Sequence, residues 1–502
     1  MSDPNLTAGA LNGRKRAPVS TKRSPLSLRL ALVKALLASL FVLAPVLCPS
    51  GMTGEERTVP QGVVHDGFGE MLTYRDMDRG TLVHDRLENG VQLLVMEIPS
   101  STVAYGMVAV RVGARYEEAE NAGISHLLEH LLFRESAGSE NLNRIRSSGG
   151  TVNALTDMEL TSYHFTVLPH HFNGSMKGLA HLVLEPQFSP DDLEREREVV
   201  LEELAMGRND PRAVVLMQLV REIFPDSPLN SFVIGTRESI ESIGHAQIEE
   251  FYRTHYIPGN MIVIAAGKVR APETLQFLRS LFGGLEPRSI PVQNFVVPEP
   301  ALNSLVKKIP INQSFYVFGT LTPGRSAKEY RAMEVLHALL VSGTNSRLHR
   351  RVVLEEGYTE QLYPQWFSYS NTGIWAVFLS VRPGDMEAVS GLIADEIDAV
   401  KRGGFSDEEL ETAKEGLVSR ATISLDRPED LARFQLENLV YGNPPMTLAE
   451  YAGTLRGVSR REVMETAQAC FTEERTVTIE MKPARGPERW LLILKYLTTK
   501  SL

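Results

Sequence analysis

The chain has 502 residues, of which 43% are hydrophobic and 23% charged, and only two are cysteines, Cys48 and Cys470. At about 100–200 residues per domain this is chain for more than one buried core, and the balance excludes disorder, a collagen-like repeat and a polytopic membrane protein. Two cysteines also exclude a disulfide scaffold and a multi-cysteine zinc or iron–sulfur site, so a metal would have to be held by histidines and carboxylates.

The net charge of −10 is unevenly spread. Residues 1–50 carry seven basic residues against Asp3, which is +6, and leave −16 on the remainder. A body that acidic does not suit nucleic acid and would attract basic peptides. After the basic stretch comes an apolar run, Ala35 to Leu47, and then Cys-Pro-Ser-Gly. Basic, apolar and small, in that order, is a secretory signal. The run is short for a spanning helix of about 20 residues, and Pro45 interrupts it, but an uncleaved membrane anchor is the alternative. Leu47 is too large for the residue that precedes a lipid-modified cysteine. The expected location is therefore periplasmic or otherwise extracytoplasmic. Residues 51–75, with no apolar period, read as a linker.

Residues 76–286 read as a first domain. Two alternating apolar runs around Asn89-Gly90 predict a hairpin over residues 81–98. Residues 103–113 predict a strand, 123–133 a helix, 161–168 a strand and 261–267 a buried strand. Ser189-Pro190 starts a long acidic helix, with Ser as N-cap and Pro at the first helical position. Pro287 to Pro300, with four prolines, reads as an interdomain linker. Residues 301–485 repeat the pattern of the first domain. Ser189-Pro-Asp-Asp-Leu193-Glu recurs as Ser406-Asp-Glu-Glu-Leu410-Glu, and Ile243 to Ile264 aligns with Val458 to Ile479. The expected fold class is α+β: two duplicated domains, each a mostly antiparallel sheet packed with helices. Residues 486–502 form a tail whose apolar stretch 490–497 is too short to span a bilayer.

The sharpest chemical signal is His126-Leu-Leu-Glu129-His130 on the helix over 123–133. Positions i, i+3 and i+4 share one face. Two imidazoles one turn apart can ligate a single zinc ion, and a carboxylate between them is placed to take a proton from an attacking water. A catalytic zinc site wants a third protein ligand. The acidic helix offers five glutamates, Glu194, Glu196, Glu198, Glu202 and Glu203, among which spacing does not choose. The bland alternatives are a chance pattern on a polar face and a solvated charged helix.

In combination the motifs are specific. His-x-x-Glu-His is followed after some seventy residues by Glu196-Arg-Glu-Val-Val-Leu-Glu-Glu203. Ahead of it stand Leu87-Glu-Asn-Gly90-Val, Val112-Gly-Ala-Arg-Tyr-Glu117 and Gly123-Ile-Ser-His126. Behind it come Gly150-Thr-Val-Asn153-Ala154-Leu-Thr156, Ser346-Arg-Leu348 and Tyr369-Ser-Asn-Thr-Gly373-Ile-Trp375. Over residues 80–485 the chain resembles the pitrilysin/insulinase family of inverse zincins, and among them the mitochondrial processing peptidase and its small bacterial relatives. The resemblance implies that His126, His130 and Glu203 bind one zinc ion per chain and that Glu129 is the general base. It implies that Glu196 orients a ligand histidine, and that Asn153 and Ala154 lie on an edge strand that takes up peptide. It also implies a zinc metalloendopeptidase of peptides or unfolded segments, whose second domain has no ligands and closes a chamber. The alternatives are a non-catalytic core or assembly subunit of the same fold and a factor with structural zinc.

One departure bears on partners. Active members carry an Arg and a Tyr seven residues apart in the second half; here those positions hold Val353 and Glu360. The resemblance then implies a heterodimer with a zinc-less homologous subunit that supplies the anchor. A homodimer using Arg347 or Tyr358 is the alternative.

Overall fold

The computed structural model describes residues 62–63, 72–76, 80–133, 139–187, 189–207, 211–289, 295–297, 299–300, 304–309 and 314–499. The N-terminal signal or anchor lies outside the described residues. Among these residues no helix is long and apolar enough to cross a membrane.

The strands of the first half are β1 (Gly62–Val63), β2 (Leu72–Asp76), β3 (Gly80–Arg86), β4 (Gln92–Glu97), β5 (Ala104–Val110), β6 (Thr151–Thr156), β7 (Thr161–Val167) and β8 (Met261–Gly267). They form one sheet in the order β1-β2-β3-β4-β8-β5-β7-β6, and only the β4–β8 pairing is parallel. The expected hairpin is β3–β4, turned at Gly90 with φ +98°. β1 and β2 correct the reading of 51–75 as a linker. Leu72–Asp76 alternates apolar and polar residues, and it pairs with β3, whose outer edge would otherwise be bare.

The second half carries β9 (Ser304–Ile309), β10 (Ser314–Pro323), β11 (Leu362–Ser368), β12 (Thr372–Val381) and β13 (Thr476–Pro483). Their order is β11-β12-β10-β13-β9, with β9–β13 the one parallel pair. Read from the parallel pair, β9-β13-β10-β12-β11 repeats β4-β8-β5-β7-β6 strand for strand. The two halves are therefore the same mixed, mostly antiparallel fold, and β1–β3 extend the first alone.

Helices named here in chain order are α1 (Ile124–Phe133), α2 (Phe172–Leu184), α3 (Pro190–Gly207), α4 (Pro211–Ile223), α5 (His245–His255), α6 (Ala271–Phe282), α7 (Tyr330–Val341), α8 (Met386–Lys401), α9 (Asp407–Ser424), α10 (Pro428–Val440), α11 (Arg460–Cys470) and α12 (Gly486–Thr499). The repeat extends to them. α3 and α9 are both 18 residues long, α4 and α10 both 13, and α5 and α11 both 11. The tail expected over 486–502 is largely helix α12, which follows β13 as α6 follows β8. Trp490 and Leu491 on it are exposed.

Every residue of β5 and β8 is buried, because both faces of the sheet are covered. Val108, Val110, Met261, Val263 and Ala265 pack with α1, α2, α5 and α6 on one face. Tyr105, Met107, Ile262, Ile264 and Ala266 point the other way, onto Ala432, Leu436 and Leu439 of α10, a helix of the second half. The second sheet mirrors this. Trp375, Val377 and Leu379 pack with its own helices, whereas Val317, Ile374, Phe378 and Ile479 meet Val215, Leu219 and Ile223 of α4, a helix of the first half. The halves have exchanged equivalent helices. Gly319 permits one of these contacts, since a Cβ there would stand 2.7 Å from Leu219 Cδ1.

A buried polar latch also joins the halves. The Arg115 guanidinium, 1% exposed, pairs with Glu159, 4% exposed, and donates to Ser370 Oγ at 3.1 Å and Asn371 Oδ1 at 2.5 Å. Ser370 donates back to Glu159 through its N–H (2.8 Å) and hydroxyl (2.6 Å). Phe295, from the expected linker, stacks its ring 4.0 Å from the guanidinium.

Two outcomes follow from this packing. Expressed separately, residues 76–286 and 301–485 should each bind a hydrophobic dye and lack a cooperative thermal transition, and co-expression should restore one. A lone half that melts cooperatively at the temperature of the whole chain would contradict the exchange. Arg115→Met should cost about 3–5 kcal/mol in urea unfolding, since it strands a buried carboxylate, and Arg115→Met with Glu159→Gln should recover part of the loss.

Candidate active site

α1 begins where the sequence forces a turn. Gly123 has φ +94°, and a Cβ there would stand 2.7 Å from Ile234 O. The carboxylate of Glu117 accepts from the N–H groups of Gly123 (2.6 Å) and Ser125 (2.8 Å), at the positive end of the helix. Burial still pushes Glu117 up to about 7. The apolar positions Ile124, Leu127, Leu128, Leu131 and Leu132 face the core. The remaining face presents His126, Glu129 and His130 to α3.

α3 starts at Ser189, whose hydroxyl accepts from Asp192 N at 3.1 Å. Arg197 fixes its position by donating to the carbonyls of Ile240 and Ile243, the latter at 2.7 Å. Of the five glutamates, two reach α1. Glu203 Oε2 lies 3.9 Å from His126 Nε2 and 3.6 Å from His130 Nε2. Glu196 Oε2 lies 3.3 Å from the other nitrogen of His130, Nδ1. His126, His130 and Glu203 each offer a ligand atom, all within 4.8 Å of one another.

This donor set fits zinc, which takes imidazole nitrogen and carboxylate oxygen at about 2.0–2.2 Å. Glu203 Oε2 is buried and has no hydrogen-bond donor among the described residues, as expected of an atom that faces a cation. The electrostatics agree. Burial, with the neighbouring His130, holds His126 well below the usual imidazole range. Burial pulls His130 down too, but Glu196, Glu203 and Glu129 outweigh it and push it up to about 10. Three carboxylates thus converge on one small volume that draws positive charge.

Glu129 is 9% exposed, and burial raises its carboxyl, opposed by His130 and by the hydroxyl of Thr156. Thr156 Oγ1 donates to Glu129 Oε2 at 2.5 Å. Behind Glu129, the hydroxyls of Tyr163 and Tyr256 meet at 2.8 Å.

Asn153 and Ala154 fall on β6, the outer strand of the sheet, which pairs only with β7 among the described residues. Their main chains differ. Asp157 N–H bonds back to Leu160 O, so by alternation the polar groups of 155 and 153 also face β7, and those of 154 and 152 face the free edge. Asn153 therefore offers its exposed side chain rather than its backbone. His164 alternates away from Tyr163 and lies on Tyr105, ring centroids 5.7 Å apart, where burial lowers it to about 4. Glu117, Arg115 and Thr156 were given no roles by sequence reasoning. All three stand inside quoted motifs, but no spacing rule shows whose atoms they reach.

Residues 93–237 match the family described as Insulinase (Peptidase family M16), and residues 242–417 match its Peptidase M16 inactive domain. An uncharacterized zinc protease of Mycobacterium leprae is 30% identical over 369 residues, 71% of this chain and 82% of its own length. A probable mitochondrial-processing peptidase subunit beta of Arabidopsis thaliana is 26% identical over 69% of this chain and 68% of its own. The crystal structure of a protease from Helicobacter pylori superposes with a TM-score of 0.73 over 80% of this chain and 99% of that one, at 21% identity, which speaks to the fold. With the duplicated sheets and the His126–Glu129–His130 helix already in view, these matches establish that the chain belongs to the insulinase family, peptidase family M16.

Proposed function

We propose that this chain is an exported zinc metalloendopeptidase that hydrolyses peptides or unfolded protein segments. The observation that carries the reading is a buried carboxylate, Glu129, set between two imidazoles that share a second carboxylate, beside a strand that pairs on one side only among the described residues. His126, His130 and Glu203 would hold zinc, and Glu196 would fix the ring of His130 through Nδ1. Zinc, when bound, would lower the pKa of water and polarise the scissile carbonyl. Glu129 takes the proton of the attacking water and delivers it to the leaving amine nitrogen. Raised by burial, its carboxyl is a stronger proton acceptor than an exposed one. The outward N–H and C=O groups of Ala154 would pair with the substrate as an added strand. Export rests on the +6 N-terminal fifty residues and the Ala35–Leu47 run.

We further propose a zinc-less homologous subunit as partner. The second half has no His-x-x-Glu-His, and Val353 and Glu360 stand where the family anchor would be. The two stand-ins for a homodimer are engaged elsewhere. Arg347 is paired with Glu396 (2.8 Å) and Glu409 (2.9 Å), and Tyr358 packs on the second core.

Glu129→Gln should keep zinc and lose on the order of 10²–10⁴-fold in rate, whereas His126→Ala and Glu203→Ala should lose the metal. Metal analysis beside cleavage of an internally quenched peptide reads both, and a Glu129→Gln enzyme as fast as wild type would sink the mechanism. For the partner, the chain purified alone should cleave poorly and gain activity on co-expression with a relative lacking His-x-x-Glu-His. Full activity from the lone chain, unchanged by that relative, would rule out the heterodimer.

A further inference from the structure

We infer that Thr156 is a positioning residue that holds the general base at the end of the substrate-binding edge and so sets where a bound peptide is cut. The inference rests on the peptidase reading above. Thr156 is the last residue of β6 and is 8% exposed. Its hydroxyl donates to Glu129 Oε2 at 2.5 Å, and its backbone N–H stands near enough to the same carboxylate to oppose the rise of its pKa. Val152, Ala154 and Thr156 share one side of the strand in both senses. Their side chains face α1, with Val152 and Ala154 packed on the core around that helix. Their main-chain polar groups point to the free edge, because Asp157 N–H is spent on Leu160 O on the other side.

The edge of β6 is therefore not uniformly open. At Val152 and Ala154 the outward groups can take a new strand. At Thr156 the next outward N–H faces the Glu129 carboxylate, which the Thr156 hydroxyl holds in place. A peptide that pairs with Ala154 runs into the general base two residues further on, about 7 Å along the strand. One strand thus supplies both the register of the substrate and the clamp on the carboxylate. With Oε2 engaged, Thr156 fixes the rotation of the carboxyl group. Neither donor of Thr156 touches the zinc-binding atoms of His126, His130 or Glu203, so the clamp is separable from metal binding.

The test compares wild type, Thr156→Val, Thr156→Ser and Glu129→Gln as full-length chains, with the partner subunit if one is required. Zinc content, thermal midpoint, and kcat and KM on an internally quenched peptide are measured for each. Thr156→Val keeps the backbone donor and the volume but loses the hydroxyl. It should bind zinc at the wild-type ratio, melt at the wild-type temperature, and lose kcat on the order of 10–100-fold, the scale of outer-sphere effects, with KM little changed. Thr156→Ser should restore most of kcat. A crystal structure of Thr156→Val should show the Glu129 carboxylate rotated off β6 with His126, His130 and Glu203 in place. Wild-type kcat in Thr156→Val, loss of zinc from it, or a Thr156→Ser variant as slow as Thr156→Val would each overturn the inference. A wild-type chain without zinc-dependent cleavage, or Glu129→Gln at wild-type rate, would instead remove the peptidase reading beneath it.

Discussion

The central strands of each sheet have no face that meets water. Alternate residues of β8 place Val263 and Ala265 on one side and Ile262, Ile264 and Ala266 on the other, and all are buried. A two-faced apolar sheet needs two covers, and each half keeps helices on only one of its faces. The second cover is borrowed: α10 for the first sheet, α4 for the second. The halves are consequently held by their cores rather than by a surface contact. The Arg115 latch then adds direction to an attachment that apolar packing alone would leave free to slide. It lies two residues before Glu117, which caps α1, so the element that joins the halves continues directly into the element that aims the histidines.

The site reverses the logic of the core. Glu129, Glu196 and Glu203 converge beside two imidazoles in a largely dry volume, an arrangement that costs several kcal/mol per uncompensated charge. Without a metal, the carboxylates draw a proton onto His130. A divalent cation would satisfy the same field through three donors at once. The rigidity of α1 and α3 makes this possible. Arg197 ties α3 to the Ile240–Ile243 segment, and Ser239 Oγ, in that same segment, donates to Ala122 O at 2.6 Å at the start of α1. Both ligand-bearing helices are thus referred to one short stretch of chain.

Elements with a period were legible from sequence. The β3–β4 hairpin followed from Asn89-Gly90, α1 from its apolar spacing, and the repeated fold from Ser189 and Ser406 at equivalent helix starts. The clustering of His126, His130 and Glu203 was legible because the two histidines are one turn apart and Glu203 stands in a recognisable motif. Position along the chain does not reveal partners across it, and that is where the reading ran out. Leu219 and Leu436 look like ordinary amphipathic core residues, and nothing in their spacing says that each serves the other half's sheet. Asn153 and Ala154 were read together, yet strand alternation turns their backbones in opposite directions. Leu72–Asp76 was passed over as linker because a five-residue strand next to Gly-rich chain has too short a pattern to register.

The exchange of α4 and α10 has a historical reading. Remove the linker and treat the two halves as copies of one chain. Each copy would then have an uncovered sheet face and a helix that covers the face of its twin. A single-length ancestor packed in this way would have been a twofold dimer in which each subunit lent the other a helix. Joining two such genes end to end would have required no new packing, only a connection long enough to span the residues between Phe282 and Ser304. Fusion then frees the copies to differ. One retains His126, Glu129, His130 and Glu203, while its twin has Ala413 and Arg420 at the positions equivalent to Glu196 and Glu203 and continues as the half that completes its sibling's core.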